Sequence, residues 1–117
     1  MNLSLSTESA GDVRVLDIEG EVDVYSAPAL REQLTALVDD GTPHIVADLT
    51  KTSFIDSTGL GVLVAGQNHA GEAGGALRVV CAQERILKLF RITGLDAVLQ
   101  IFPSRDEAVA ASAPSAS

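Results

Sequence analysis

The stretch TSFIDSTGLGVLVAG, Thr52 to Gly66, poses the central problem of this chain. An apolar run breaks at Asp56-Ser57-Thr58, then resumes through Gly59 and Gly61 into a series of aliphatics. Just upstream, HIVADL (His44–Leu49) has the composition of a short buried strand. Downstream, Leu60, Leu63 and Val64 share a helical stripe. The intervening SFIDSTGLG therefore reads as the loop that joins strand to helix. That position is the carboxyl end of a strand and the amino end of a helix, where open α/β sheets place their ligand sites. Unpaired N–H groups and partial positive charge gather there.

Ser57 is read as the helix N-cap or its neighbour, with Asp56 as the alternative cap or turn former. A phosphate on such a serine would meet free N–H donors. From the residues alone two readings stay open, a simple cap and an exposed recognition point. Gly59 and Gly61 sharpen the question, since a glycine costs about 1 kcal/mol relative to Ala in a helix interior. Without side chains, both allow a neighbouring strand or a docking partner to come close.

Working outward, LSLST (Leu3–Thr7) and VRVLDIEGEVD (Val13–Asp23) read as two early strands. In the second, Leu16, Ile18 and Val22 alternate with Asp17, Glu19, Glu21 and Asp23, which predicts one covered face and one at least partly wet. YSAPALREQLTALVDDG follows as a helix, with Leu30, Leu34, Leu37 and Val38 inward. Its expected N-cap is Ser26, Pro28 suits its first turn and Gly41 its stop. ALRVVC (Ala76–Cys81) is a strand, and QERILKLFRITG a helix with Ile86, Leu87 and Phe90 inward. AVLQIF is a last strand, and SRDEAVAAS a last helix capped by Ser104. Two strands followed by alternating helices and strands imply right-handed crossovers and a largely parallel section of sheet. The expected organisation is a single domain over residues 1–112 with a disordered Ala/Ser/Pro tail over 113–117.

Composition narrows the function classes. The 117 residues suit one domain, and 46% are hydrophobic but only 3% aromatic, so the core must be aliphatic. A net charge of -8 argues against nucleic acid and anionic membranes as partners; it would steer a protein partner with a basic patch toward the chain, or simply keep a small protein soluble. Arg85, Lys88 and Arg91 form the densest basic cluster, read as a solvated face that offers at most a secondary contact. The single Cys81 excludes an internal disulfide. With no long apolar span and no leader pattern, the expectation is a soluble cytoplasmic protein. His44 and His69 lack a metal-ligand constellation, so no metal or other cofactor is expected. The serine context is not G-x-S-x-G, and no tuned base accompanies Ser57. An enzyme with a Ser57 nucleophile is thus the weaker class.

Three segments, GEVDVYSAPALREQL, HIVADLTKTSFIDSTGLGVLV and LRVVCAQERILKLFRITGLDAVLQIF, closely resemble the STAS-domain anti-sigma factor antagonists of bacteria, over roughly Leu3 to Ala110. FIDSTGLGVL is the most specific block. The resemblance implies a STAS-like α/β fold, a mixed sheet with helices packed mainly on one face. It implies a non-catalytic protein that binds an anti-sigma factor which is also a serine kinase of the histidine-kinase-like ATPase fold. In that scheme the unphosphorylated form captures the kinase and frees a sigma factor. Phosphorylation breaks the complex, and a metal-dependent serine phosphatase restores the active form. Carried over, Ser57 is the phosphoacceptor, with Thr58 beside it as a second hydroxyl that could take the phosphate instead or in addition. Asp23, Asp56, Ser57, Thr58, Gly59 and Gly61 form the partner-binding set, with Asp23 matching the family's acid in Gly-Glu-x-Asp. Val24, Tyr25 and Ser26 fall in a stretch that varies within the family. The isolated chain is expected to be a monomer. The alternative is a STAS module that senses a nucleotide or lipid within a larger assembly, and the intact Asp-Ser motif argues against it.

Overall fold

The computed structural model describes residues 2–113. In chain order the elements are β1 (Leu3–Ala10), β2 (Val13–Val22), α1 (Ala27–Asp39), β3 (His44–Asp48), β4 (Thr52–Ile55), α2 (Ser57–Glu72), β5 (Ala76–Val80), α3 (Glu84–Thr93), a 3-10 turn at Leu95–Ala97, β6 (Gln100–Phe102) and α4 (Arg105–Ser112). The strands form one mixed sheet in the order β1-β2-β3-β5-β6, with β4 paired to the end of β2. β1 and β2 are an antiparallel hairpin, and every other pairing is parallel. The tail expected from residue 113 lies, from residue 114 on, outside the described residues.

Alternation along β2 decides the layering. Leu16, Ile18 and Val22 point into the main core, which they share with the buried faces of α1, α2 and α3. On the opposite face Val13 and Val15 join Val46 of β3, Val80 of β5 and Ala108 of α4 in a smaller core. Three helices therefore cover one face and only the short α4 the other. The partly wet face expected for β2 begins at the exposed Glu19 and Glu21. Its amino-terminal half is dry because α4 lies over it. α4 starts where expected, with Ser104 Oγ accepting from Glu107 N at 3.3 Å.

Arg105, in the first turn of α4, ties that helix to the sheet. Its Nε donates to Asp48 Oδ2 at 2.9 Å, and its other nitrogens lie 3.3 Å from Asp17 Oδ2 and 3.2 Å from Glu8 Oε2. Asp48 is buried at the end of β3, and Asp17 nearly so. Burial alone would raise the Asp48 carboxyl pKa. Hydrogen bonds from the Thr50 hydroxyl and N–H, together with Arg105, outweigh it and hold that carboxyl below its usual range.

The loop expected between His44–Leu49 and α2 contains a strand, β4, which the pattern did not show. β4 reads buried-exposed-exposed-buried, with no period of two. It exists because β2 runs on past β3 and offers a free edge. Gly20 N donates to Lys51 O at 3.1 Å and Glu21 N to Asn2 O at 2.9 Å, so successive N–H groups of β2 serve β4 on one edge and β1 on the other. Thr52 Oγ1 adds a buried bond to Ile18 O at 2.7 Å. Gly20 has φ +108°, and a Cβ there would lie 1.7 Å from Asn2 O. Only glycine lets β1 and β4 flank β2 at this point.

Replacing Arg105 by Ala should lower stability by roughly 2 kcal/mol at pH 7, since it leaves Asp48 and Asp17 without their guanidinium partner. Asp48 has a depressed folded pKa, so its contribution is full above the unfolded value of about 4 and is lost as pH falls through the folded one. Urea unfolding of both proteins across that range should show the difference narrowing as pH falls. A gap independent of pH would contradict this account.

Candidate functional site

Val22 of β2 and Ile55 of β4 are register partners. Asp23 and Asp56 follow them, so two acids leave the sheet side by side. Asp56 N donates back to Val22 O at 3.1 Å, closing the junction. Asp56 then caps α2, with extended backbone and Oδ1 accepting from Gly59 N at 3.1 Å. Ser57 is not the cap, in correction of the first of the two expectations. Asp56 takes that role because its backbone is extended, as a cap requires, while Ser57 already lies inside the helix. Ser57 and Thr58 thereby occupy the first two helical positions, both exposed, with the capping bond made by another residue.

The two glycines serve different ends. Gly59 is buried, and a Cβ there would lie 2.6 Å from Val22 Cγ1 and 2.7 Å from Ile55 Cγ1. It lets the start of α2 press directly on the β2–β4 pair. Gly61 is exposed, with nothing within 4 Å of where a Cβ would stand. Internal packing thus accounts for Gly59 and leaves Gly61 open to solvent.

Asp23 is held in a turn of its own. Its Oδ1 accepts from Ser26 N at 3.0 Å and Tyr25 N at 2.9 Å, and its backbone N donates to Ser26 Oγ at 2.9 Å. The Ser26 N–H bond, with support from Tyr25 and the Ser26 hydroxyl, holds the Asp23 carboxyl below its usual pKa. Ser26 sits at the cap position of α1 but does not cap it, in correction of the expectation from sequence. Its backbone there is already helical, and its hydroxyl donates to Glu21 O at 2.8 Å. The hydroxyl is spent on closing the turn.

This turn pushes Val24 and Tyr25 outward, at 57% and 76% exposure. Val24 and Thr58 line one open groove of about 340 Å³, with Pro28, Arg31 and Val62. On the other flank Phe54, Leu89 and Ile92 form a second groove of about 360 Å³, rimmed by Arg85 and Lys88. Of the basic cluster, Arg91 pairs with Glu84 and Arg85 donates to Ser53 O, so only part of it is free surface. Sequence patterning missed these exposed apolar side chains. Tyr25, the one tyrosine, two residues after an Asp that turns the chain, was the available signal; Phe54 gave none, because β4 lacks alternation.

Other chemistry-bearing residues lie apart from this junction. His69 pairs with Asp39 on the surface, Nε2 to Oδ1 at 3.0 Å. Cys81 is buried, and that burial pushes its thiol pKa up. Among the described residues no group of three or more His, Cys, Asp or Glu is arranged to hold a metal ion. No helix among them is long and apolar enough to cross a membrane.

The junction of β2, β4 and α2 thus presents an Asp-capped helix start with Ser57 and Thr58 exposed. The model of the STAS domain family matches residues 4–108. The chain is 40% identical over 102 residues to an anti-sigma-B factor antagonist of Bacillus subtilis, covering 86% of this chain and 92% of that one. It is 36% identical over 101 residues to the protein of that name from Staphylococcus aureus, covering 86% and 94%. The solved structure of an anti-sigma factor antagonist from Mycobacterium paratuberculosis superimposes with a TM-score of 0.87 at 31% identity, over 95% of this chain and 94% of that one. The chain belongs to the STAS domain family, and the relatives it resembles there are named anti-sigma factor antagonists.

The glycine assignments make opposite predictions. Gly59→Ala should destabilise by about 1–3 kcal/mol, because two stiff buried side chains must yield to the new methyl. Gly61→Ala should stabilise by about 0.5–1 kcal/mol, because the site is open and helical. Thermal or urea unfolding of the pair decides it; equal effects would mean the start of α2 does not rest on Val22 and Ile55.

Proposed function

We propose that this protein is an anti-sigma factor antagonist switched at Ser57. The unphosphorylated form binds an anti-sigma factor that is also a serine kinase and so frees a sigma factor. Phosphorylation of Ser57 by that kinase breaks the complex, and a serine phosphatase reverses it. The names of the relatives supply the partner class. The observation that carries the switch is the exposed Ser57 at the first position of α2, with Asp56 making the capping bond in its place. A hydroxyl that caps a helix is engaged in the fold; this one is available to a partner or a kinase.

The charge balance favours a phosphate that blocks rather than refolds. A phosphoserine adds about -1.5 to -2 charges at neutral pH. The helix start attracts it, but the Asp56 carboxylate already takes the Gly59 N–H, which leaves the N–H groups of Ser57 and Thr58. Asp23 lies across the junction on a chain of net charge -8. The added charge therefore falls among like charges, where a tightly docked surface must desolvate it. Thr58 is the second hydroxyl at this end of the helix, and peptide mapping separates it from Ser57.

The test is purified chain with the anti-sigma factors of its own organism, with and without ATP. The wild type should be retained by one of them and acquire a single phosphate on Ser57. Ser57→Ala should stay bound in ATP, with its melting temperature little changed because Asp56 still caps α2. Ser57→Asp should bind at least tenfold more weakly, about 1.4 kcal/mol. Equal binding by all three proteins would sink the switch.

A further inference from the structure

The structure separates two roles that a shared surface would otherwise merge. One oxygen of the half-buried Asp23 carboxylate faces its own backbone, where Oδ1 meets Tyr25 N, Ser26 N and the Ser26 hydroxyl within 3.2 Å; Oδ2 takes no part in these bonds. Ser26 in turn is bonded to Glu21 O and to Asp23 N, at 2.8 and 2.9 Å. Oδ1 is thus committed to the turn, and loss of the side chain would release the Tyr25 and Ser26 N–H groups. What the turn offers outward is apolar: Val24 and Tyr25, both well exposed.

We propose that Tyr25, with Val24 at its base, is the apolar anchor and the partner-selecting element of the antagonist surface, and that Asp23 is a positioning residue which acts through the turn. The proposal rests on the reading of Ser57 as the switch, and its occupant is the same anti-sigma factor. Three observations support it. Val24, beside Tyr25, and Thr58, beside Ser57, line the same groove, so the turn and the start of α2 border one surface. The turn leaves β2 one residue after Val22, which is bonded to Asp56 N and packed beneath Gly59, so turn and helix start are parts of one rigid unit. An aromatic side chain held out on a fixed backbone loses little conformational entropy when it docks, which is why Tyr dominates anchor positions in protein interfaces. The partner that fits is a protein with an apolar pocket for a phenol ring beside the place that receives Ser57.

Asp23 and Ser26 fix the backbone, while the two residues between them project outward and make no side-chain contribution to the turn. They can change without disturbing β2, α1 or the helix start.

Binding to the anti-sigma factor that retains the wild-type chain should be measured by calorimetry for four variants, Tyr25→Ala, Asp23→Ala, Asp23→Asn and Ser57→Asp. Asn keeps an oxygen acceptor for the Tyr25 and Ser26 N–H groups and removes the charge. The expectation is a loss of tenfold or more for Tyr25→Ala with unchanged melting temperature, a similar loss for Asp23→Ala, and affinity within about threefold of wild type for Asp23→Asn. Amide exchange at Ser26 should be faster in Asp23→Ala and close to wild type in Asp23→Asn. Equal losses for Asn and Ala at position 23 would overturn the positioning role and make the charge itself the contact. Wild-type affinity in Tyr25→Ala would overturn the anchor. Ser57→Asp separates this inference from its foundation: if it weakens binding while Tyr25→Ala does not, the switch stands and the anchor falls. If no anti-sigma factor retains the wild type, both fall together.

Discussion

The structure turns on the place where β2 outruns β3 and picks up β4. Gly20 opens the backbone so that β1 and β4 sit on opposite edges of the same strand. Val22 and Ile55 then pair, Asp56 N returns to Val22 O, and Gly59 presses α2 onto both. Remove any of these and the first turn of α2 loses its support. The junction is therefore fixed by the sheet itself, with its two acids and two hydroxyls at the rim of a dry aliphatic core. Rigidity of this kind suits a recognition point, since nothing needs to be ordered when a partner arrives.

Electrostatics divides the molecule. On the α4 side, Arg105 gathers Glu8, Asp17 and Asp48 and lets acidic strand residues lie under a helix of eight residues. At the junction, the acids are satisfied by backbone N–H groups instead: Asp23 by Tyr25 and Ser26, Asp56 by Gly59. That difference matters for a charge-controlled switch. No guanidinium engages Asp23 or Asp56 among the ion pairs of the described residues, so a phosphate added there meets N–H donors and like charge. The same acidity that keeps the free protein apart from anions makes an added phosphate costly at a closed interface.

Much of this was legible in the sequence because its signals were periodic. The alternation in Val13–Val22 gave the two faces of β2. The stripes Leu30-Leu34-Leu37-Val38 and Ile86-Phe90 gave two helices, and Ser104 before an acidic first turn gave the start of α4. What escaped has a physical cause in each case. β4 is four residues long and owes its existence to a free edge of β2 that no local pattern reports. Ser26 looked like a cap by residue type, yet its hydroxyl closes a turn with Glu21 and Asp23. Ser57 read as the α2 cap, with Asp56 as the alternative, until backbone geometry assigned it to Asp56. The Asp-Ser-Thr block marked the strand-to-helix junction; its orientation, and the exposed Val24 and Tyr25 beside it, needed three dimensions.

The central claim is that the site is preformed and that phosphate acts on it locally. The most direct measurement is an amide NMR spectrum of the chain before and after stoichiometric phosphorylation of Ser57. The account predicts shifts confined to residues 22–26 and 54–61, with β1, β5 and α4 unmoved. Shifts spread across the sheet would contradict it, because the junction would then be a hinge in the fold and not a fixed rim on which charge is placed.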